Sequence, residues 1–444
     1  MTLRIITSAL GALAFSACAS APAPLPAAAP PVASAGAAPT GGATLVRNAK
    51  WWMGGSFETG ERTIRDGRFV APGGPVEQEI DLEGAFVIPP LGDAHVHMFH
   101  AADYIDQTAG LLSSDGILTA WELGGWASEV ASVRSALKDT PMRHVGLAGP
   151  AFTAPGAHAI PYTEAQAQEL NWWSLPEEEK LAVRYSRTVA NERYYDVADP
   201  AAVDAVWQDY LSLRPDLVKV IIFGSADGTR EDPTALDKPT VLHIGELARA
   251  ASLRLIAHVQ TPEDAELAID AGAAVLAHAP LSHSAVATVP GALLDRLARE
   301  DVAVIPTFFR KLAMEPYTPE EYRMSPERVA EVRASHRDRL NMMHAAGVRL
   351  ALGSDLGRTT ALDELVYWHE VGALDPDLLL DIAVLDTPAL ILGRQGQNCV
   401  QLACTADFLV TKDDPRNDFS VIENARLFVN GAEIRRSSEQ DDIR

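Results

Sequence analysis

Eight short apolar runs, spaced along the middle of the chain and separated by stretches of helical character, restrict its fold more than any other feature. They fall at residues 87–97, 117–122, 144–148, 217–223, 253–258, 274–278, 302–306 and 348–352. Each is almost continuously apolar rather than alternating, the pattern of a strand buried on both faces, as in a parallel sheet covered by helices. Helical periodicity fills the gaps, for example at 240–251, 262–271, 287–300 and 325–346. Eight such β-α units predict an α/β fold of the (β/α)8 TIM-barrel type.

The flanks differ in texture. Residues 44–88 read as short strands, with Asp66-Gly67 as a hairpin turn. Residues 393–434 repeat that texture, with a second turn at Asn430-Gly431. Helices at 362–371 and 376–392 lead back to them. The two ends are therefore expected to build one small β-sandwich beside a barrel at 89–392, with Pro89-Pro90 marking the crossing and a disordered tail at 435–444. One connection is out of scale. From Thr153 to Pro200 the chain runs long and aromatic, with Tyr162, Trp172, Trp173, Tyr185, Tyr194 and Tyr195. Leaving a strand's C-terminal end, it reads either as a lid over a substrate pocket or as a surface subdomain packed on itself.

The N-terminus lies apart from the fold. Arg4 precedes an apolar stretch at 5–15 that is too short to span a bilayer. Phe15-Ser16-Ala17-Cys18 follows, so residues 1–18 resemble a lipoprotein signal with Cys18 as the lipidated residue. Ordinary secretion is the alternative, because Phe15 departs from the usual Leu. Residues 19–43 are Ala/Pro/Gly-rich and read as a flexible tether. The expected location is thus periplasmic or outer-membrane-anchored, with membrane contact only through the lipid. Of the three cysteines, Cys399 and Cys404 would face each other if Gln401-Leu402 turned a hairpin, leaving a disulfide or two free thiols open. With 60 Asp and Glu against 37 Lys and Arg, the net charge of −23 argues against a nucleic-acid partner. No Gly-rich phosphate cradle is present, which excludes a nucleotide cofactor of that type. Oligomerisation is left open.

Residues suited to metal binding recur at the strand ends. His95 and His97, at i and i+2 of an extended strand, project to one face. Lys219 sits in the fourth run, His258 ends the fifth, His278 the sixth, and Asp355 follows the eighth. In a closed barrel these ends converge on one mouth, and four imidazoles, a carboxylate and a lysine meeting there suit a metal. Lys219 could instead pair with Asp216. Glu122, His158 and Arg310 point toward the same mouth and are weaker, substrate-contacting candidates. His100, His144, His243, His283, His336, His344 and His369 fall off this pattern and read as structural or surface residues.

The order HxH, Lys, His, His, Asp on successive strands resembles the amidohydrolase superfamily. The similarity spans roughly 44–434 and looks closest to the imidazolonepropionase-like and Xaa-Pro dipeptidase-like branch, on the flanks of His95, the segment 216–220 and the β-rich ends. Pro155-Gly156-Ala157-His158 stands where that branch often has Pro-Gly-Gly-His. Ser354 replaces a common Thr, and 397–405 lacks the usual Gly-rich run. The resemblance implies two divalent metals, most often zinc: His95, His97 and Asp355 on one, His258 and His278 on the other, with Lys219 bridging as a CO2-derived carbamate. It implies a water activated between the metals, Asp355 as proton shuttle, and hydrolysis of a C–N bond in an amide, peptide or cyclic amide. A mononuclear deaminase or a lactonase/esterase in the same cavity, or a tethered binding protein without turnover, are the competing readings.

Overall fold

The structure, a computed structural model, describes residues 42–223, 234–280, 289–318, 320, 323–393 and 398–434. The signal segment with Cys18, all but the last two residues of the expected tether, His283 and the tail at 435–444 lie outside them.

Both ends of the chain meet in one β domain. From the N-terminal side come Ala43–Trp52, Phe57–Arg65, Arg68–Val70, Val76–Asp81 and Phe86–Ile88. From the C-terminal side come Phe408–Thr411, Arg426–Val429 and Ala432–Ile434. Both predicted turns have left-handed backbone at their two central residues: Asp66 and Gly67 at φ 50° and 71°, Asn430 and Gly431 at 52° and 79°. Positive φ at both positions gives the twist that a two-residue hairpin needs. The shared β domain is as expected, and its strands are hydrogen-bonded into one eight-stranded, largely antiparallel sheet, which supports the sandwich in part. The longest strand carries a register shift between Val46 and Ala49, and on its other edge it pairs with Val76–Asp81 along one half and Phe86–Ile88 along the other. Trp51 meets Phe69 and Phe408 edge-on at 5.7 and 5.8 Å, and Phe408 stacks on Phe428 at 4.5 Å.

The middle of the chain is a mixed α/β layer of parallel strands and covering helices. Leu91–Val96, Ile117–Glu122 and His144–Leu147 form a three-stranded parallel sheet. A six-stranded parallel sheet holds Tyr194–Asp196, Ala151–Thr153, Leu217–Ile221, Arg254–His258, Val275–Ala277 and Ala303–Ile305. A single closed eight-stranded ladder is not formed among the described residues, which corrects the expectation of a regular barrel. Instead of a ladder the eighth run makes the isolated bridge of Leu350 to Val304 on one side and accepts at Leu352 O from Ala94 on the other, while the Leu352 N–H donates to Thr387 Oγ1 at 3.0 Å. Individual backbone hydrogen bonds still link the arcs: Ala94 N–H to Leu352 O, Asp355 N–H to His95 O, and Asp216 N–H to Leu147 O.

The helix expected over 376–392 is broken into Pro376–Asp381, a π-turn at Ile382–Asp386, and Thr387–Leu392. Pro388 explains the break, having no N–H for the carbonyl four residues back. That carbonyl, on Val384, accepts from Asn398 Nδ2 at 2.5 Å. The two parts of the molecule are joined by Arg143, whose Nε lies 2.6 Å from Asp407 Oδ2, and by Trp52 Nε1 on Asp381 Oδ1 at 2.8 Å.

The long connection has a core of its own. Helices Ile160–Ala167 and Glu177–Arg184 bury Tyr162, Ala165, Trp172 and Val183 together. Glu164, fully buried, accepts from Ser186 Oγ, Thr188 N, Val189 N and Tyr194 Oη at 2.5–3.0 Å. The segment thus packs on a small core of its own, and it places His158 beside His258, with ring centroids 4.8 Å apart. Among the described residues no helix is long and apolar enough to cross a membrane.

Candidate metal centre

Leu91–Val96 ends with His95 in the strand and His97 one residue beyond it, so both imidazoles leave the same face. Their Nε2 atoms are 3.2 Å apart. Asp355 Oδ1 lies 3.0 Å from His95 Nε2 and 3.1 Å from His97 Nε2. Ligands bound to one tetrahedral zinc at ordinary bond lengths sit about 3.3 Å from one another, so this triangle has the size a small divalent cation needs. His278 Nε2 is 3.7 Å from the other oxygen, Oδ2. His258 lies beside His278 with ring centroids 4.2 Å apart, and His158 beside His258 at 4.8 Å. Lys219 is 2 % exposed, and its charge acts on His95, His258 and His278 together. Four imidazoles, a carboxylate and a buried lysine are a donor set that fits divalent metal.

The electrostatics favour ligation. Burial, with lesser pressure from Lys219, lowers the pKa of His95 to about 3, despite Asp355, and carries His258 and His278 well below the ordinary value. These rings stay neutral with a nitrogen lone pair available, the form that metal requires. For His97 burial pulls down, but hydrogen bonds to Asp355 and Glu122 outweigh it and the pKa rises. Burial raises Asp355, yet its hydrogen bond with His95 and the charge of Arg310 beside it hold it well below the carboxylate range and keep it ionised.

Three further carboxylates, each about 1 % exposed or less, fix the backbone from which these ligands spring. Asp93 accepts from His95 N, Ser354 N, Ser354 Oγ and Ala361 N at 2.8–3.1 Å, tying the first strand to the segment carrying Asp355. Burial pushes it up to about 7 against those four donors. Glu122 Oε2 accepts from Met98 N and Phe99 N, both at 2.7 Å, while Oε1 accepts from Gly124 N at 3.2 Å and faces His97 Nδ1 at 3.5 Å. Glu364 accepts from Phe308 N and Phe309 N at 2.8 and 2.7 Å. Thr307 Oγ1 lies 2.5 Å from His278 Nδ1, orienting that ring. His278, Thr307 and Asp355 all carry positive φ (77°, 51° and 56°), a costly backbone for non-glycine residues that gathers at functional sites.

Of the strand-end residues singled out in the sequence, His95, His97, His258, His278, Asp355 and Lys219 are brought together. Glu122 faces the backbone after the first strand and the back of His97, a placement that positions a ligand. Arg310 lies at the centre itself, its Nε 2.9 Å from Asp355 Oδ2. Asp216, the rival partner for Lys219, is engaged by Arg134 at 3.0 Å and by the Leu147 N–H at 2.9 Å. Cys399 and Cys404 are disulfide-bonded with Cα atoms 5.9 Å apart; they close an irregular turn, not a hairpin. His336 is structural, stacked on Phe308 at 4.2 Å and bonded to Tyr367 Oη at 2.7 Å. Asp93, Thr307 and Glu364 were not anticipated.

No family model matches the chain, and no curated protein matches it in sequence. Solved structures do resemble it. A Xaa-Pro dipeptidase with methionine bound in its active site matches at a TM-score of 0.68 and 19 % identity, over 88 % of this chain and 99 % of that one. A prolidase complexed with N-methylphosphonate-L-proline matches at 0.66 and 20 %, over 89 % and 100 %. The ochratoxinase of A. niger matches at 0.65 and 18 %, over 89 % and 96 %. At these identities the likeness establishes a shared fold, and it runs through nearly the whole of each of those chains.

Proposed function

We propose that this protein is a metal-dependent hydrolase of C–N bonds, acting on an amide, peptide or cyclic amide. The observation that carries the reading is the triangle of buried His95 and Asp355 with half-buried His97, beside His258 and His278 at the ends of parallel strands and Lys219 within one. His95, His97 and Asp355 would hold one divalent ion, zinc being the best match to nitrogen and carboxylate donors at this spacing. His258 and His278 would hold a second, with Lys219 as a carbamate between the two. Burial of Lys219 among three imidazoles suits a lysine whose charge is removed in this way. Bound metal supplies Lewis acidity toward a carbonyl and acidifies water near neutral pH. Asp355, ionised and facing both histidines, is placed to accept a proton and return it to the leaving nitrogen.

Support for the bond class comes from relatives in fold whose names describe amide or peptide cleavage, a Xaa-Pro dipeptidase and a prolidase among them. Export to the periplasm, with a lipid anchor on Cys18 or by simple secretion, rests on the N-terminal sequence alone and is part of the same proposal. One observation favours a single-metal variant: ligand atoms of His95, His278 and Asp355 all lie within 4.8 Å of one another, a set one ion could gather. Metal analysis separates the two. About two equivalents of zinc per chain, falling to one in Lys219→Ala with loss of turnover, is the expected result. One equivalent in the wild type sinks the binuclear form. Wild-type turnover in Lys219→Ala refutes the bridging lysine, and no turnover on any N-acyl-amino acid, dipeptide or cyclic amide by the zinc-loaded protein overturns the hydrolase reading.

A further inference from the structure

A cavity of about 840 Å³ lies where the β domain meets the parallel strands. Its walls come from the end of the first β-domain strand, the starts of the strands Arg254–His258 and Val275–Ala277, the helix Thr387–Leu392 and the disulfide-closed turn. It is on the far side of the sheet's strands from the metal centre. Arg254, on the cavity wall, opens its strand, and His258 closes it. Four residue steps of about 3.3 Å put those two ends roughly 13 Å apart. Small-molecule sites favour junctions between domains and occupy about 300–1,000 Å³, so both place and size suit a ligand.

The polar part of the wall has a definite chemistry. Among the described residues that line it, Arg254, Arg349 and Asp386 carry charge. Arg254 is fixed in place: its guanidinium lies over the Trp121 ring at 4.7 Å and donates to the carbonyls of Leu390 and Ile391 at the end of the helix. Arg349 is tied through Nη2, which donates to Asp301 O at 3.1 Å and lies 3.4 Å from Asp301 Oδ2. Its Nε is buried with no hydrogen-bond partner among the described residues, a costly state that an acceptor entering the cavity would relieve. The two guanidiniums also feel each other, since the charge of Arg349 adds to burial in lowering the pKa of Arg254. An anion between them eases that repulsion, and arginine takes a carboxylate through its planar fork. Asp386 on the same wall opposes a second negative charge. Much of the remaining wall is apolar, with Met53, Leu385 and Leu402 in it; Leu402 is 59 % exposed. One anion-binding spot beside an apolar surface matches an organic acid with a hydrocarbon or aromatic body.

We propose that this cavity is a second ligand site, separate from the metal centre, which binds a small organic monocarboxylate with its carboxylate on Arg349 and its apolar body against Met53, Leu385 and Leu402. The site does not depend on the hydrolase reading. Benzoate and its neutral counterpart benzamide are titrated calorimetrically into the protein, both metal-free and zinc-loaded. Loss of a charged hydrogen-bonded pair corresponds to roughly 10- to 100-fold in affinity. Benzoate is therefore expected to bind both forms of the protein, and 10- to 100-fold more tightly than benzamide. Arg349→Met should bring the two probes together. Leu402→Asp alters a side chain that already stands in solvent, so the fold is kept, and the new charge at the rim should weaken benzoate roughly 5- to 10-fold while sparing benzamide. A wild type that binds the two probes alike, or binds neither, overturns the proposal without any variant. So does benzoate binding that vanishes when zinc is removed, because it places the carboxylate on the metal. An Arg349 that serves only to tie its segment to Asp301 would, on replacement, lower stability in urea and leave the benzoate-to-benzamide ratio intact, and that result also refutes the site.

Discussion

Glu122→Gln tests how the centre is held, because the substitution keeps shape and removes only charge and one acceptor. In the wild type both oxygens are committed, Oε2 to the N–H groups of Met98 and Phe99 and Oε1 to the Gly124 N–H and His97 Nδ1. A glutamine must turn its NH2 toward one of these pairs. Turned toward Met98 and Phe99, it strands two buried N–H groups at about 1–3 kcal/mol each. Turned toward Gly124 and His97, it strands one N–H and offers His97 Nδ1 a donor where an acceptor stood. The second orientation is cheaper by one buried donor, so stability should fall by only about 1–3 kcal/mol. The larger effect is on metal. His97 would shift its proton to Nε2, the atom 3.1 Å from Asp355 Oδ1, and lose the lone pair aimed at the centre. Changes of this kind behind a ligand typically cost 10- to 100-fold in affinity. Competition against a chromogenic zinc chelator reads the affinity, and urea unfolding of the metal-free protein reads the stability. Unchanged zinc affinity alongside lowered stability would show that Glu122 serves the backbone only, and would refute its role behind His97.

Other expectations follow from the same geometry. His97 has its pKa raised, so its proton competes with metal from below neutral pH upward to that pKa. Zinc affinity should climb as pH rises through the raised pKa of His97 and follow that residue, not His95, which burial keeps neutral; isothermal titration at several pH values checks this, and a flat profile contradicts it. The sign for stability is opposite. A histidine with a raised folded pKa stabilises the metal-free fold below the unfolded pKa, and that contribution fades as pH rises through the folded one. In Gly353→Ala the new Cβ would lie 2.5 Å from Ile305 Cγ2 and 2.7 Å from His95 Cβ, so about 1–3 kcal/mol of stability should be lost together with zinc binding; full zinc content would show that His95 does not move. Replacing Cys399 and Cys404 with alanine opens a loop with a sequence separation of 5, which should cost about 2 kcal/mol in urea unfolding without altering zinc content; a change in zinc content would couple the β domain to the centre.

Much of this architecture was legible in the chain because its signals are local. The hairpins at Asp66-Gly67 and Asn430-Gly431 need only their own positive φ, and the buried strands announce themselves by unbroken apolar runs. Where the reading fell short, the deciding contact was distant. Nothing within 348–352 separates that run from the other strands. Its N–H at Leu352 is diverted by Thr387, 35 residues on. The register shift after Val46 in the longest β-domain strand is likewise not revealed by alternation in composition. Pro388 is the exception, since its effect on the helix over 376–392 was visible in the sequence and simply outweighed by the apolar periodicity around it.

The candidate site shows the same division more sharply. The ligands could be found because they lie in or just after the apolar runs, whose ends converge whatever the intervening loops do. What could not be found is the layer that aims them. Asp93 reaches Ser354 across 261 residues, and Glu364 reaches Phe308 across 56; in the sequence they are an acid in a strand and an acid in a helix. Yet these carboxylates and Glu122 act on backbone N–H groups next to the residues with chemical roles: His95 by Asp93, His97 by Glu122, Asp355 through Ser354, and Arg310 through Phe308 and Phe309. Positive φ at His278, Thr307 and Asp355 costs on the order of 1–3 kcal/mol each. Backbone held in that state needs strong acceptors close by. Asp93 and Glu364 serve as those acceptors, each turning both oxygens to backbone N–H groups. The centre is therefore organised through its main chain, and substitutions at Asp93, Glu122 or Glu364 should disturb metal binding as surely as substitutions at the ligands, though by displacement and not by loss of a donor.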